Sequence, residues 1–390
     1  MEVLGIIAEF NPLHNGHKYL INEAKKYGAV VCAISGNFVQ RGDTAIYEKS
    51  LRAKAALLCG ADLVVELPVC YSMSTAQNFA LGGVSMLDSI GCDSIIFGSE
   101  CGDIQKLYKT CDILESENFK EKLKIHLQNG VTFAAARQKA AEECGAPQNI
   151  LDSANNNLGI EYILAAKRIN SKINFKTVKR LGALHDSPDF DSDFVSAGAI
   201  REKIKQGDFE SCKIHFPSEI THLFKTADYS NIKEIENLIL GVLRTKTPKV
   251  LANLPDLSEG LENKLFTAIK SGKNLNMLYE KIKVKRYTLA RIRRLVLSAF
   301  LGIDNSVFLK TPPYLRVLGF NKLGEQLITE NRKISKIPVV MRANEIENLG
   351  HNAKKVFEIE NRATDLYALS LKEPFECGKE YTSPLIKWEV

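Results

Sequence analysis

Four short apolar runs in the first hundred residues constrain the fold of this chain most strongly. They lie at 3–8, 29–34, 63–67 and 94–97, and each is separated from the next by a segment with helical periodicity. Parallel strands need a long crossover connection, usually a helix, so this alternation predicts strands joined by helices. We therefore expect an α/β fold with a Rossmann-like parallel sheet.

The pattern changes beyond about residue 215. Before it, segments 117–145 and 158–169 are predicted to be helical and 173–178 to be a further strand. After it, the periodicity is mainly helical, at 232–243, 261–269 and 288–301. Because 390 residues exceed one comfortable hydrophobic core, we predict a catalytic domain over 1–215 and a mainly helical C-terminal region over 216–390.

Composition narrows the class of protein. With 45% hydrophobic and 25% charged residues the chain is typical of globular proteins. Nine cysteines without a C-x-x-C pair indicate reduced thiols, not a disulfide frame or a zinc site. Glu2 stands where a secretory signal needs basic residues, and no apolar run reaches the roughly 18 residues of a membrane span. We expect a cytoplasmic protein without a membrane segment, and the oligomeric state stays open.

The turn after the first predicted strand carries the strongest functional signal, at residues 10–17 (FNPLHNGH). Ligands of open α/β sheets bind outside the carboxyl ends of strands, and the N-terminus of a helix suits phosphate. Gly16 allows a nucleotide to approach the backbone closely, and His14 and His17 can donate hydrogen bonds to phosphate oxygens. The alternative is that the histidines only cap a helix, but the neighbouring asparagine, proline and glycine favour a nucleotide site.

Residues 5–17 resemble the signature of the nucleotidyl-transferase superfamily with a His-x-Gly-His motif. Four further segments are similar to the bacterial tRNA(Met) cytidine acetate ligase family and extend the resemblance over nearly the whole chain: residues 36–42, 66–68, 97–100 and 285–288. The resemblance implies activation of acetate with ATP to acetyladenylate, and transfer of the acetyl group to the wobble cytidine of elongator tRNA(Met). Mg²⁺ would accompany the ATP, held mainly by its phosphates, so no protein metal ligands are expected.

The resemblance also implies the site residues. Catalytic roles fall to His14, His17 and Arg201. ATP contacts fall to the first turn and helix and to four later positions: Ile7, Ala8, Glu9, Phe10, Asn11, Pro12, Leu13, Asn15, Gly16, Lys18, Tyr19, Leu20, Gly102, Asn156, Arg180 and Ser196.

Residues 196–201 (SAGAIR) resemble the second superfamily element, a small-residue turn that opens a helix and holds the departing pyrophosphate. An ordinary serine N-cap would have the same sequence. Arg201, one turn into the predicted helix, is suited to bidentate phosphate binding, and a solvated surface arginine is the alternative.

The polar loop 37–43 follows the second predicted strand at the same sheet edge, and we expect it to close over the acyl-adenylate. The alternative is that Lys49, Arg52 and Lys54 simply form the exposed face of an amphipathic helix. The sequence does not decide between the two.

Residues 281–294 contain seven basic side chains and no acidic one, which predicts phosphate binding. Tyr287 could stack on an unpaired base, whereas a solvated basic helix is the alternative. Together with the resemblance, this segment predicts tRNA contacts at Lys283, Lys285, Arg286, Arg291 and Arg294.

Two other functions compete with the ligase. An adenylyltransferase acting on a small cofactor precursor would use the same histidines, but it has no need of the helical C-terminal half with its basic segment. A nucleotide-sensing or RNA-binding module without catalysis is disfavoured because His14, His17 and Arg201 are all present.

Overall fold

The structure, a computed structural model, describes residues 1–130, 132–180, 195–257, 260–284 and 287–389. Its strands are β1 (Glu2–Ala8), β2 (Gly28–Ser35), β3 (Phe38–Val39), β4 (Asp43–Thr44), β5 (Leu63–Leu67), β6 (Ser94–Ser99), β7 (Asn174–Lys179), β8 (Leu315–Asn321), β9 (Val339–Val340) and β10 (Ile386–Trp388).

The helices of the N-terminal half are α1 (Asn15–Lys25), α2 (Lys49–Leu58), α3 (Val69–Ser72), α4 (Ala76–Ser89), α5 (Ile104–Glu115), α6 (Glu117–Gln128), α7 (Phe133–Glu143), α8 (Ala154–Arg168), α9 (Ala197–Lys205) and α10 (Phe209–Cys212). Those of the C-terminal half are α11 (Ser218–Thr226), α12 (Glu236–Arg244), α13 (Pro248–Leu251), α14 (Leu261–Ser271), α15 (Leu275–Ile282), α16 (Leu289–Leu301), α17 (Lys322–Asn331), α18 (His351–Ala368) and α19 (Lys379–Thr382).

Most of the strands form one sheet in the order β10-β8-β5-β2-β1-β6-β7, with β9 beside β8. Strands β1, β2, β5, β6 and β7 are mutually parallel, and β8 pairs antiparallel to β5. The α/β class and the parallel core are therefore confirmed. The short hairpin β3–β4 stands apart from this sheet, directly after β2.

The C-terminal region adds strands to the sheet as well as helices. β8 extends the sheet beyond β5, with Leu63 opposite Phe320 and Glu66 opposite Arg316, and β10 follows on the far side of β8. The mainly helical character of the C-terminal region is confirmed, although these strands were not predicted. The division of the chain at residue 215 stays a prediction, but it does not coincide with an edge of the sheet.

Alternating side chains of the central strands enter two hydrophobic cores, because successive residues of a strand point to opposite faces. From β1, Val3 and Ile7 pack on one face with helices α4 and α8. Leu4 and Ile6 pack on the other with α1, α2 and α9. The result is a three-layer arrangement with helices on both faces.

The strand order reverses beside β1. The chain moves outward from β1 to β2 and β5, and then returns to place β6 on the other side of β1. Such a switch point opens a crevice at the carboxyl ends of the two strands, where ligands of this fold class bind. The β1–α1 turn, the loop after β6 and the end of β7 all meet there.

Two expectations from composition can be compared with the structure. All nine cysteines lie in the described residues and none is in a disulfide, which agrees with reduced thiols. Among the helices that the structure describes, none is both long and apolar enough to span a bilayer.

Candidate active site

The turn between β1 and α1 is held by its own buried side chains. Phe10 and Leu13 lie in the core beneath α1, with 1% and 0% of their surface exposed. Phe10 adopts a φ of 46°, which a non-glycine residue keeps only where its surroundings enforce it. The buried Asn11 accepts a hydrogen bond from the backbone N–H of Ile46 at 2.7 Å. The turn is therefore fixed before any ligand binds.

His14 and His17 cap helix α1 reciprocally. The Gly16 N–H donates to Nδ1 of His14 at 3.0 Å, and the His14 N–H donates to Nδ1 of His17 at 3.3 Å. The two rings lie 4.0 Å apart between centroids. The two Nδ1 atoms therefore do cap the helix, as the alternative interpretation of these histidines predicts.

Capping also determines the tautomer of both rings. Burial, with repulsion from His17 and Arg180, lowers the pKa of His14 well below its usual value. Burial and Arg180 lower the pKa of His17 to about 3. Both imidazoles are therefore neutral near pH 7, and because each Nδ1 accepts, each ring carries its proton on Nε2. Two N–H donors remain beside the N-terminus of a helix, an arrangement that suits phosphate oxygens.

Arg201 brings a positive charge to the same turn. Its Nη1 donates to the carbonyl oxygen of Asn11 at 2.7 Å. Burial and the neighbouring Arg41 guanidinium lower the pKa of Arg201. The alternative of a solvated surface arginine is wrong, since Arg201 lies against the turn. Ser196 caps α9 through its hydroxyl, which accepts from the Ala199 N–H at 3.2 Å; its role toward pyrophosphate stays a prediction.

Gly102 and Arg180 lie on the opposite side of the crevice. Gly102 has a φ of +60°, and a Cβ there would lie 2.6 Å from Cβ of Lys179, so a larger residue does not fit without strain. Arg180 extends β7 by donating its N–H to the Ser99 carbonyl at 2.9 Å. Its charge lowers the pKa of both histidines, so Arg180 lies near the β1–α1 turn; a contact of Arg180 with ATP stays a prediction.

Asn156 supports the loop after β6. Its Oδ1 accepts from the N–H groups of Glu100 and Cys101, both at 3.1 Å, and its Nδ2 donates to the Ile150 carbonyl at 3.2 Å. Sequence reasoning overlooked Glu100, whose carboxylate accepts from the N–H groups of Asn155 and Asn156 and so caps α8. Its place in the segment 97–100 was the available signal. A direct contact of Asn156 with ATP stays a prediction.

The other predicted ATP residues surround the turn. Ile7 is buried in the sheet, and Leu20, on α1, packs against the core below that helix. Ala8 is the last residue of β1, Pro12 lies in the turn and Tyr19 lies on α1. Asn15 donates to the Ile214 carbonyl at 3.0 Å, and Lys18 forms an ion pair with Glu219. These last contacts attach α1 to the segment 213–219.

Arg52 is wholly buried, so the exposed-face alternative is wrong for it. Its guanidinium donates to the carbonyl oxygens of Glu9 at 2.6 Å, Ser35 at 2.9 Å and Gly36, and its Nε to Tyr47 at 2.8 Å. Arg52 therefore ties the ends of β1 and β2 together from behind. Helical periodicity could not reveal this, because its partners are main-chain atoms of other elements.

Lys49 is also buried, whereas Lys54 is exposed as that alternative expected. Lys49 belongs to a group that we call the buried charge cluster: Lys49, Glu66, Arg316, Glu360 and Glu380. Lys49 pairs with Glu66 at 2.5 Å, with Glu360 at 3.7 Å and with Glu380, and Arg316 pairs with Glu380 and, at 3.8 Å, with Glu66.

The protonation of this cluster follows from its charges. Burial and the Glu66 carboxylate hold the pKa of Glu360 well above its usual value. Although burial opposes the shift, Lys49 and Arg316 lower the pKa of Glu380 to about 2. The raised pKa favours the protonated form of Glu360, which reduces the negative charge beside Lys49 and Arg316. The three carboxylates come within 4.8 Å of one another, as in a metal site, but Lys49 occupies the position that an ion would need.

The basic segment is only partly described. Lys283 is exposed, and Lys285 and Arg286 lie outside the described residues. Arg291 pairs with Asp256 at 3.2 Å and lies 4.7 Å from the Tyr287 ring centroid. Arg294 pairs with the same Asp256 at 2.9 Å. Phosphate contacts by these residues stay predictions.

Comparison with known proteins agrees with this geometry. The sequence model of the family described as HIGH Nucleotidyl Transferase matches residues 1–380. The tRNA(Met) cytidine acetate ligase of Thermoanaerobacter sp. (strain X514) is 38% identical over 403 residues, covering 99% of this chain and 100% of that protein. The protein of that name from Caldanaerobacter subterraneus subsp. tengcongensis is 40% identical with the same coverage.

Solved structures agree as well. Crystal structures of Thermotoga maritima TmcAL, one apo and one bound with alpha-thio ATP, match with TM-scores of 0.91 and 0.89 at 28% identity over 100% of both chains. The fold and the histidine turn define a nucleotidyl transferase of the HIGH class. Within that class, the chain belongs to the tRNA(Met) cytidine acetate ligase family.

Proposed function

We propose that this chain activates acetate with ATP to acetyladenylate and pyrophosphate, and then acetylates the wobble cytidine of elongator tRNA(Met). The observation that carries the proposal is the pair of neutral imidazoles of His14 and His17, whose Nε2–H groups stand at the N-terminus of α1. The names of the relatives and the alpha-thio ATP bound to the Thermotoga protein support it.

In the first step, one acetate oxygen attacks the α-phosphorus of ATP. The bond from that phosphorus to the oxygen bridging toward the β-phosphate breaks, and pyrophosphate leaves with the electron pair. We assign the stabilisation of the charge that develops on the phosphates to the Nε2–H donors and to the Arg201 guanidinium, which lies against the same turn. Mg²⁺ bound with ATP, mainly through phosphate oxygens, would add to that stabilisation.

In the second step, the exocyclic amine of cytidine attacks the acetyl carbonyl carbon. The bond to AMP breaks, and the amine nitrogen loses a proton. No covalent acyl-enzyme is needed, so positioning and charge stabilisation suffice. The proposed tRNA contacts lie in the region 216–390, at Lys283, Lys285, Arg286, Arg291 and Arg294. Because tRNA is the proposed substrate, a cytoplasmic location belongs to the same proposal.

The test is ATP–pyrophosphate exchange with and without acetate, followed by transfer of labelled acetate to tRNA(Met). We expect exchange that requires acetate, and label in tRNA that requires a cytidine at the wobble position. Exchange that proceeds equally well without acetate would contradict the ligase and favour an adenylyltransferase acting on another small molecule.

A further inference from the structure

The tip of the β3–β4 hairpin touches the β1–α1 turn. The backbone N–H of Gln40 donates to the Glu9 carboxylate at 3.0 Å. Glu9 is the first residue after β1, and its carbonyl oxygen is held by the buried Arg52. A shift of Gln40 would therefore be transmitted to the start of the turn that carries His14 and His17.

Arg294, on helix α16, holds the same residue from the other side. Its Nη1 donates to the Gln40 carbonyl oxygen at 3.2 Å, while its Nη2 donates to Asp256 at 2.9 Å. The side chains of Arg294 and Asp256 are only 13% and 17% exposed, so solvent screens this contact weakly. Asp256 itself has a φ of 60°, a conformation that costs energy and persists where its neighbours enforce it.

The hairpin tip and α16 are also in direct contact at Gly42. Its φ is +71°, and a Cβ there would lie 2.6 Å from Cβ of Arg293 and 2.7 Å from the backbone nitrogen of Arg294. Only glycine permits both this conformation and this approach. The hairpin is thus packed against the helix as well as bonded to it.

We propose that Arg294 is a positioning residue for ATP, acting through the backbone of Gln40 on Glu9. The inference rests on the proposed function, since it assigns ATP to the β1–α1 turn. The tRNA contact predicted for Arg294 stays a prediction, while the structure bonds its two terminal nitrogens to protein atoms. Arg294 therefore acts on ATP binding in the absence of tRNA and joins the basic segment to the nucleotide turn.

Equilibrium binding of ATP to the full chain, without acetate or tRNA, tests this directly. Arg294→Ala should raise the Kd for ATP several-fold and at most about tenfold, because only the part of the lost hydrogen-bond free energy that differs between the free and the ATP-bound chain enters the Kd. The number of sites per folded chain should stay the same. Partial unfolding would lower the number of sites and leave the Kd of the rest unchanged, so that result would overturn the inference.

Arg362→Ala is the matched control. Arg362 also holds α16, by donating to the Leu301 carbonyl at 2.8 Å, but at the end of the helix away from the hairpin. Its removal should leave the Kd for ATP within about twofold of that of the unmodified chain. An equal rise in the two variants would show that any loosening of α16 weakens ATP binding, and would overturn a specific role for Arg294.

A double-mutant cycle with Glu9→Ala tests the path through Gln40. Because Glu9 and Arg294 bond to the backbone of the same residue, the combined rise in Kd should be clearly smaller than the product of the single rises. Additive effects would contradict the path. Arg294→Lys, which keeps the charge but loses one of the two contacts, should fall between the original residue and alanine.

A failure of the positioning role of Arg294 can be distinguished from a failure of the proposed function. A chain that binds ATP but shows no acetate-dependent exchange contradicts the acetate ligase, while the Kd values of the variants still decide the role of Arg294. A chain with acetate-dependent exchange whose Kd for ATP is unaffected by Arg294→Ala contradicts the positioning role alone.

Discussion

Two groups of polar side chains lie at the same edge of the sheet and are built in opposite ways. At the end of β1, the β1–α1 turn (residues 9–14), called the nucleotide turn, leads to the neutral imidazoles of His14 and His17 near the guanidinium groups of Arg180 and Arg201. Near the end of β5, the buried charge cluster places three carboxylates around two cations. The turn has an excess of donors, and the cluster balances its own charges.

The difference shows how a binding site can be told from a structural ion-pair network. Removing charges from water is costly, and the cluster offsets that cost with its own ion pairs. The turn uses the Nδ1 atoms of its histidines for helix capping, and within the part of the chain that the structure describes the Nε2–H groups are left for another molecule. Burial of polar residues alone therefore does not indicate a ligand site, whereas remaining donor capacity does.

The largest effect is expected in the cluster. Lys49→Met leaves the surrounding carboxylates without their central cation, and should lower the free energy of unfolding by about 3–5 kcal/mol, as measured by chemical denaturation. Lys54→Met, on the exposed side of the same helix, should change it by less than about 0.5 kcal/mol. Similar losses in the two variants would contradict a stabilising role for the cluster.

Substitutions in the nucleotide turn should affect catalysis much more than stability. His17→Ala removes one Nε2–H donor and should reduce the kcat of acetate-dependent exchange about 100- to 1000-fold. The lost cap should cost only about 1 kcal/mol of folding free energy. His126→Ala, which removes a histidine paired with Glu143 at 2.8 Å, serves as the control and should leave exchange unchanged. A loss of folded protein that accounts for the lost exchange would instead assign His17 a structural role.

A smaller effect is expected from the backbone conformation, and a comparison of Gly102 with Gly130 tests it. Gly102 and Gly130 both have positive φ, +60° and +75°, but only Gly102 has neighbours within 4 Å of an added Cβ. Gly102→Ala should therefore cost at least about 1 kcal/mol more folding free energy than Gly130→Ala. Equal costs in thermal or chemical unfolding would mean that the crevice tolerates a methyl group beside Lys179.

The smallest effect at neutral pH is expected for Glu360→Gln, because an amide resembles the protonated carboxyl group. The folded-state pKa of Glu360 is raised, so the folded chain binds more protons than the unfolded chain above about pH 4.3. The stability of the unmodified chain should then fall as pH rises through this window. The variant has no proton to lose at this position. Its free energy of unfolding should therefore rise relative to that of the unmodified chain, by up to about 1.4 kcal/mol per pH unit. Denaturation curves between pH 5 and 9 with no such divergence would contradict a protonated Glu360.

The local sequence predicted the nucleotide turn better than it predicted the buried charge cluster. Strand β1, the turn and helix α1 follow one another directly, so periodicity and turn residues sufficed to locate His14 and His17. The sequence did not show whether Lys49 is buried or exposed, because Glu360 and Glu380, which pair with it in the core, lie some three hundred residues away. Spacing within one helix contains no information about such partners.

Strand β8 was missed for a related reason. It carries Arg316 within an apolar run, and a charged residue argues against a buried strand unless its partner is known. That partner, Glu380, comes from a different part of the chain. The sequence did not reveal the roles of Asn156 and Glu100 for the same reason. The side chain of each accepts a hydrogen bond from the backbone N–H of the other, which lies on a distant segment of the chain.

The position of β8 between β5 and β10 also affects how the chain can fold during synthesis. The strands around the nucleotide turn leave the ribosome before β8, so β5 keeps one unpaired edge until residues 315–321 emerge. A nascent chain that stalls before this point exposes the kind of sheet edge on which other chains pair and aggregate. The edge of the sheet beside β5 is therefore covered only after residues 315–321 have been synthesised.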